Sequence, residues 1–136
     1  MCCGVLASCE KEEGIGSMED LLGTYNVTVE DYVVWGGDSG TLHDKGTITI
    51  TKIDKKRVQL RGLISTKGTL DGGKLYLDST TNTDSYGYIT RTYDSALFGG
   101  GILTIYSTAT GQLSTTPNGT RYPYKSSCYF EGRKVK

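Results

Sequence analysis

Apolar residues in this chain recur at every second position, in short runs broken by glycine, aspartate and asparagine. That two-residue period constrains the fold more than any other feature. Tyr25, Val27 and Val29 alternate with Asn26, Thr28 and Glu30, and Ile48 and Ile50 alternate with Thr47, Thr49 and Thr51. Val58, Leu60, Gly62 and Ile64 alternate with Arg57, Gln59, Arg61 and Leu63. Side chains on a strand point alternately to opposite faces, so each run predicts a strand with one buried and one solvated face. Asp54-Lys55-Lys56 and Asp71-Gly72-Gly73 separate such runs as short hairpin loops. Residues 86–93, 102–108 and 122–135 complete the set, with Pro117-Asn118-Gly119 as a turn before the last. One helical turn is expected, where Ser17 supplies an N-cap and Asp20 the acid three residues on, ahead of Leu21-Leu22.

With no helix long enough for a parallel crossover, consecutive strands must pair antiparallel. The expectation is an all-β domain over residues 18–136, an antiparallel meander of about eight strands. A sheet of that size escapes open edges by closing into a barrel, whose interior holds side chains or one small ligand. A β-sandwich is the alternative, because alternation alone does not separate the two. Charge is uneven along the chain: Glu10, Glu12, Glu13, Glu19 and Asp20 face a single Lys11 in the first twenty residues. The mild basic excess that remains is scattered, which excludes a nucleic-acid footprint.

The N-terminus carries a separate signal. Leu6-Ala7-Ser8-Cys9 resembles the lipobox of bacterial lipoproteins, in which small residues before the cysteine let a membrane peptidase grip the backbone. The resemblance implies that Cys9 is diacylated and becomes the new N-terminus, so that residues 1–8 are a truncated signal. A full signal also has a cationic start and a longer apolar run. Glu10-Lys11-Glu12-Glu13 resembles the acidic export tag of Bacteroidetes-type surface lipoproteins. It implies an outer-membrane, lipid-anchored location at the cell surface, with the periplasmic face as the alternative. Residues 9–17 then read as an acidic flexible tether. Cys2 and Cys3 would leave with the leader, and Cys128 stands alone in a strand, where a thiol packs as a small apolar group.

Leu22-Gly23-Thr24-Tyr25 opens the first strand after the helical turn and resembles the G-x-W opening of lipocalins and fatty-acid-binding proteins. In that superfamily the aromatic ring closes the barrel base against an Arg or Lys of the last strand. The resemblance implies that Gly23 and Tyr25 close a barrel with Arg133, in a structural role. It also implies a cavity lined by Val27, Val29, Ile48, Ile50, Leu60, Leu75, Leu77 and Ile102.

No catalytic residue is assigned. Gly37-Asp38-Ser39-Gly40 copies the nucleophile motif of chymotrypsin-like proteases, but the single histidine, His43, lies four residues away, and a triad needs a base and a carboxylate from separate elements. Those residues read as a loop after Trp35. Asp31, Asp38 and Asp44 flank it without the ligand spacing of a calcium loop, so no metal and no cofactor are expected. Tyrosine is abundant, and Tyr32, Trp35, Tyr86, Tyr88, Tyr122 and Tyr124 are candidates for surface contact with a glycan or peptide. Phe98, beside Gly99-Gly100-Gly101, is a further surface-contact candidate, as a lid over a barrel mouth or as a folded-back core plug. Asp78-Ser79-Thr80 and Asp94-Ser95-Ala96 resemble the O-glycosylation sequon of Bacteroidetes exported proteins, which implies Ser79 and Ser95 as acceptors. Together these features point to an envelope-anchored, non-catalytic binding or accessory module. It would hold a small apolar ligand or meet a macromolecular partner, and its membrane contact would run through acyl chains on Cys9. The competing class is an enzyme inhibitor or a hydrolase on a β-barrel scaffold.

Overall fold

The computed structural model describes residues 17–135; Cys9, with the signal and most of the tether expected before Ser17, lies outside them. A single turn, α1 (Met18–Leu21), precedes ten strands: β1 (Gly23–Trp35), β2 (Asp38–Lys52), β3 (Arg57–Gly62), β4 (Thr66–Asp71) and β5 (Lys74–Leu77). The others are β6 (Thr80–Asp84), β7 (Gly87–Tyr93), β8 (Leu97–Gly99), β9 (Ile102–Leu113) and β10 (Tyr122–Lys134). All pairings are antiparallel, in the order β5-β4-β3-β2-β1-β10-β9-β7-β6, with β8 laid on the end of β9. The helical turn forms where its capping residues place it. Asp20 accepts the Ser17 backbone N–H at 3.1 Å and the Ser17 hydroxyl at 3.3 Å.

The sheet is one curled layer, not two stacked ones, which removes the sandwich alternative. Nor does it close along a continuous ladder. Its two edges are β5 and β6, neighbours in sequence that do not pair with each other. The margin of β5 reaches the far side only through a bridge, in which Leu75 and Ala96 exchange backbone bonds of 3.3 and 2.7 Å. Four residues of β5 are too few to extend that contact, and β6 follows β7 away from it.

Strand lengths explain the shape. β3 pairs with β2 only from Ile48 to Lys52, whereas β1 pairs with β2 along its whole length. The sheet is therefore curled at one end and flared at the other. In the curled end the inward stripe is apolar and packed: Leu21, Ile48, Val58, Leu60, Leu75 and Ile105 are fully buried, together with Tyr25 and Val27. Burying each such side chain contributes roughly 1.5–3 kcal/mol. The flared end consists of the distal halves of β1, β2, β9 and β10 with β6 and β7. There the stretch expected as a loop is mostly strand: only Gly36 and Gly37 turn, and Asp38 already pairs with Trp35. Because β3 stops short, residues 38–45 of β2 form an exposed edge on which alternation confers no burial.

A polar cleft at the mouth of the packed core

The inward stripes of the long strands change character midway. On β1 the sequence Tyr25, Val27, Val29 gives way to Asp31; on β10, Phe130 and Cys128 give way to Ser126; on β9, Leu103 and Ile105 give way to Ser107. The register sets Asp31 opposite Cys128, Cys128 opposite Ser107, and Ser107 opposite Tyr93. Above the core, Asp31, Cys128 and Tyr93 line a cleft of about 470 Å³, with Ser107 and Ser126 buried behind them. Val29, Asp31 and Asp44 form one wall, Arg91, Tyr93, Thr80 and Asn82 the other, and Cys128 and Phe130 lie between them. The link between β3 and β4 supplies the rim through Leu63 and Ile64. Glycine at position 46 makes this possible, since a Cβ there would sit 2.9 Å from Leu63 Cγ.

Hydrogen bonds tie the two walls together. Arg91 donates from Nη1 to Ser107 Oγ at 2.7 Å and from Nη2 to Ser126 Oγ at 3.4 Å, and Ser126 Oγ donates to Asp31 Oδ1 at 2.6 Å. Both serines are buried, whereas Arg91 and Asp31 are half-buried and face the cleft. Asp44 receives the backbone N–H of Lys45 at 2.8 Å. Among the described residues the ion pairs are His43–Glu30, Arg57–Asp78 and Arg133–Glu131, so Arg91, Asp31 and Asp44 meet no opposite charge directly. Their fields are felt nearby. Burial pushes the Cys128 thiol up to about 11, Asp31 adds to the rise, and Arg91 opposes it. The Tyr124 phenol is raised by the same burial and by Asp31. Burial also raises the Tyr93 phenol, with Arg91 and a Thr80 hydrogen bond pulling the other way.

The residues expected to line a cavity divide sharply. Val27, Ile48, Ile50, Leu60, Leu75 and Leu77 pack against one another in a filled core, and only Val29 reaches the cleft. Ile102 lies on the outer face, 36% exposed, and its neighbour Leu103 takes the inward position. Of the three residues expected to act together at a barrel base, Gly23 and Tyr25 lie at the start of β1 and Arg133 points away from them. Tyr25 is buried, its hydroxyl donates to the Leu21 carbonyl at 2.7 Å, and Gly23 opens β1 at a φ of 142°. The cation over the Tyr25 ring is Lys134, with Nζ 5.9 Å from the centroid and donating to the Asp20 carbonyl at 2.6 Å. Arg133 pairs with Asn26 in the ladder, so it points to the opposite face, where it contacts Glu131 at 3.5 Å. Parity along β10 decides this.

Among the surface candidates, Tyr32 and Tyr88 lie exposed on the outer face, and Tyr86 and Tyr122 are exposed near the flared end. Trp35 and Tyr124 are half-buried on the inner face, where Trp35 Nε1 donates to the Leu113 carbonyl at 3.2 Å. Phe98 is a core plug, 5% exposed, and is removed from the surface set. Ser79 is exposed between β5 and β6, and Ser95 is half-buried beside Ala96. Ser39 and His43 stand on one strand, about 13 Å apart by strand rise, and His43 Nε2 lies 3.1 Å from Glu30, so they form no catalytic pair. Among the described residues no three His, Cys, Asp or Glu side chains gather at one point.

Arg91, Ser107 and Ser126, which organise the cleft, escaped the sequence reading. A signal was present, since Arg91 interrupts the inward stripe Ile89, Arg91, Tyr93, as Asp31 interrupts Val29, Asp31, Val33. A charge on an otherwise apolar stripe marks a place where packing stops. No family model, no curated protein and no solved structure matches the chain.

Proposed function

We propose that the protein is a non-catalytic binding module, an envelope lipoprotein anchored through Cys9, whose cleft takes a small ligand with an apolar body and a polar head. The observation that carries this reading is the Arg91 guanidinium, half-buried in a 470 Å³ cleft and, among the described residues, without a carboxylate in direct contact. Small-molecule sites are clefts of roughly 300–1,000 Å³ in which a few polar groups converge; this cleft has that size, and its lining is more polar than apolar. Val29, Leu63, Ile64 and Phe130 supply the apolar part here, and Arg91, Asp31 and Asn82 the polar part. The filled core beneath argues that the ligand sits at the mouth, not in a deep interior. A lipocalin-like closure of the base is part of the same proposal. Tyr25 and Lys134 support it, as does the pairing of the first long strand with the last.

Native mass spectrometry of protein purified from its own envelope tests both halves. The expected spectrum shows a diacylated Cys9 and one retained small molecule, which is lost from Arg91→Ala. A bare polypeptide mass from wild type would end the ligand reading, and an unmodified Cys9 would end the anchor. A second reading, contact with a macromolecule, draws on the outer face. There Tyr106 stacks on Tyr129 at 4.7 Å between ring centroids, and Tyr106 is 60% exposed.

A further inference from the structure

We propose that the ligand of this cleft carries a zwitterionic head group, an ammonium and an oxyanion on neighbouring atoms, held between Asp31 with Asp44 on one side and Arg91 on the other. The inference rests on the binding reading above and adds the charge pattern of the ligand. Arg91 and Asp31 touch the same hydroxyl, Ser126 Oγ, at 3.4 and 2.6 Å. Opposite charges are therefore set within roughly 6 Å of each other across the floor, bridged and not neutralised by contact. Arg91 has five N–H donors, of which, among the described residues, two are spent, on Ser107 and Ser126. On the other wall, among the described residues, Asp31 accepts from a serine hydroxyl and Asp44 from the Lys45 backbone N–H.

The other charge classes each meet an obstacle. A purely anionic head would satisfy Arg91 but press against two carboxylates. A purely cationic head would satisfy Asp31 and Asp44 but face the guanidinium. An uncharged head would shield all three groups from water without replacing the charge-assisted bonds they lose, which costs more than leaving the cleft wet. Only a head with both signs meets every wall favourably, and the repulsive arrangements supply the selectivity. The apolar remainder of the ligand has one direction to go, along Leu63, Ile64 and Phe130.

Isothermal titration with four probes of equal chain length separates the cases: α-aminodecanoic acid, decanoic acid, decylamine and decanol. The expected result is that α-aminodecanoic acid binds at least about tenfold more tightly than each of the other three. In Arg91→Gln its advantage over decylamine should vanish, and in Asp31→Asn its advantage over decanoic acid should shrink. Circular dichroism confirms that each variant is folded, and Asp44→Asn gives a second acidic-wall variant should Asp31→Asn fail to fold. Equal binding of all four probes, or tightest binding of decanoic acid or decylamine, would overturn the zwitterion while leaving the cleft as a ligand site. No binding by any of the four would overturn the binding reading itself and the zwitterion with it.

Discussion

The same three strands, β1, β9 and β10, build two unlike regions, and the contrast between them separates what holds the protein together from what it leaves open as a polar cleft. In the curled end the inward positions Tyr25, Val27, Leu103, Ile105 and Phe130 are buried in a filled core under the α1 plug. A few residues further along each strand the inward positions are Asp31, Ser107 and Ser126, linked through Arg91 by hydrogen bonds, with Asp31 facing a cleft and the two serines buried behind it. The backbone ladder is continuous through both, so pairing does not distinguish them. The difference lies in side-chain chemistry and in the opposing wall: the curled end has β3, β4 and β5 to pack against, and the flared end does not. Stability should therefore concentrate at the curled end, and the proposed ligand site lies at the other.

The largest expected break in that symmetry is a cavity. Leu60→Ala removes a fully buried side chain, and such truncations cost about 2–5 kcal/mol. Leu42→Ala, at a position 61% exposed on the free edge of β2, should change stability by no more than about 0.5 kcal/mol. Urea denaturation of the two variants measures the gap. Equal losses would mean that the flared end contributes to the cooperative core and that the division into two regions is wrong.

A smaller effect belongs to the plug. Tyr25→Phe deletes the bond to the Leu21 carbonyl and should cost about 1 kcal/mol at neutral pH. It should also change the alkaline limb of the stability profile. Burial, with help from the Asp20 carboxylate, pushes the Tyr25 phenol up from 10.0 to about 12. The folded state thus holds this proton more tightly than the unfolded chain does. The resulting stability is complete below pH 10 and is lost as the pH rises toward 12. Subtracting the Tyr25→Phe profile from the wild-type profile isolates that loss, and superimposable profiles would show that the phenol is not sealed beneath α1.

Lys134→Met and Arg133→Met compare neighbouring cations on opposite faces. Lys134 binds the Asp20 carbonyl and covers the Tyr25 ring, so its loss should cost about 0.5–1 kcal/mol. Loss of the exposed Arg133, whose one ion pair is at the surface, should lie within about 0.5 kcal/mol of zero. Thermal melts in parallel decide it, and the reverse order would show that the Lys134 contacts to Asp20 and Tyr25 add nothing to stability.

These comparisons also show which parts of the molecule the sequence made readable. Strands such as β3 and β5 were legible because one face is buried and the other wet, and the hairpin at Gly72 and Gly73 because its residues adopt positive φ. The first part of β2 was not legible. From Asp38 to Lys45 both faces are solvated, so the alternation that marks a strand carries no hydrophobic signal. β6 was missed for the same reason, with Thr80–Asp84 polar throughout, and β8 because three residues are too short for a period. Parity was the weak link for the cation beside Tyr25 and for the end of the β9 stripe. A shift of one position exchanges faces, which is how Arg133 stood in for Lys134 and Ile102 for Leu103. The cleft was invisible for a further reason. Its hydroxyls come from Ser107 and Ser126, ordinary strand residues by type, and only the ladder registers bring them to Arg91.

The boundary between the two regions falls at Cys128, and the smallest stability effect should appear there. Cys128 is 4% exposed, yet it stands opposite Asp31 on one side and Ser107 on the other. Cys128→Ser keeps the volume nearly constant and places a hydroxyl opposite Ser107 in the ladder. A change within about 0.5 kcal/mol is expected at pH 7, whereas a serine buried among apolar side chains alone would leave an unpaired hydroxyl and cost about 1–3 kcal/mol. The thiol supplies a second readout with a definite sign. Burial and Asp31 raise it from 9.0 to about 11, so its contribution is complete below pH 9 and declines as the pH climbs to 11, and Cys128→Ser should remove that decline. A large loss at pH 7 would extend the apolar core past Cys128 and shrink the cleft by a full strand position. A near-neutral result would fix the change from packing to recognition between Phe130 and Ser126.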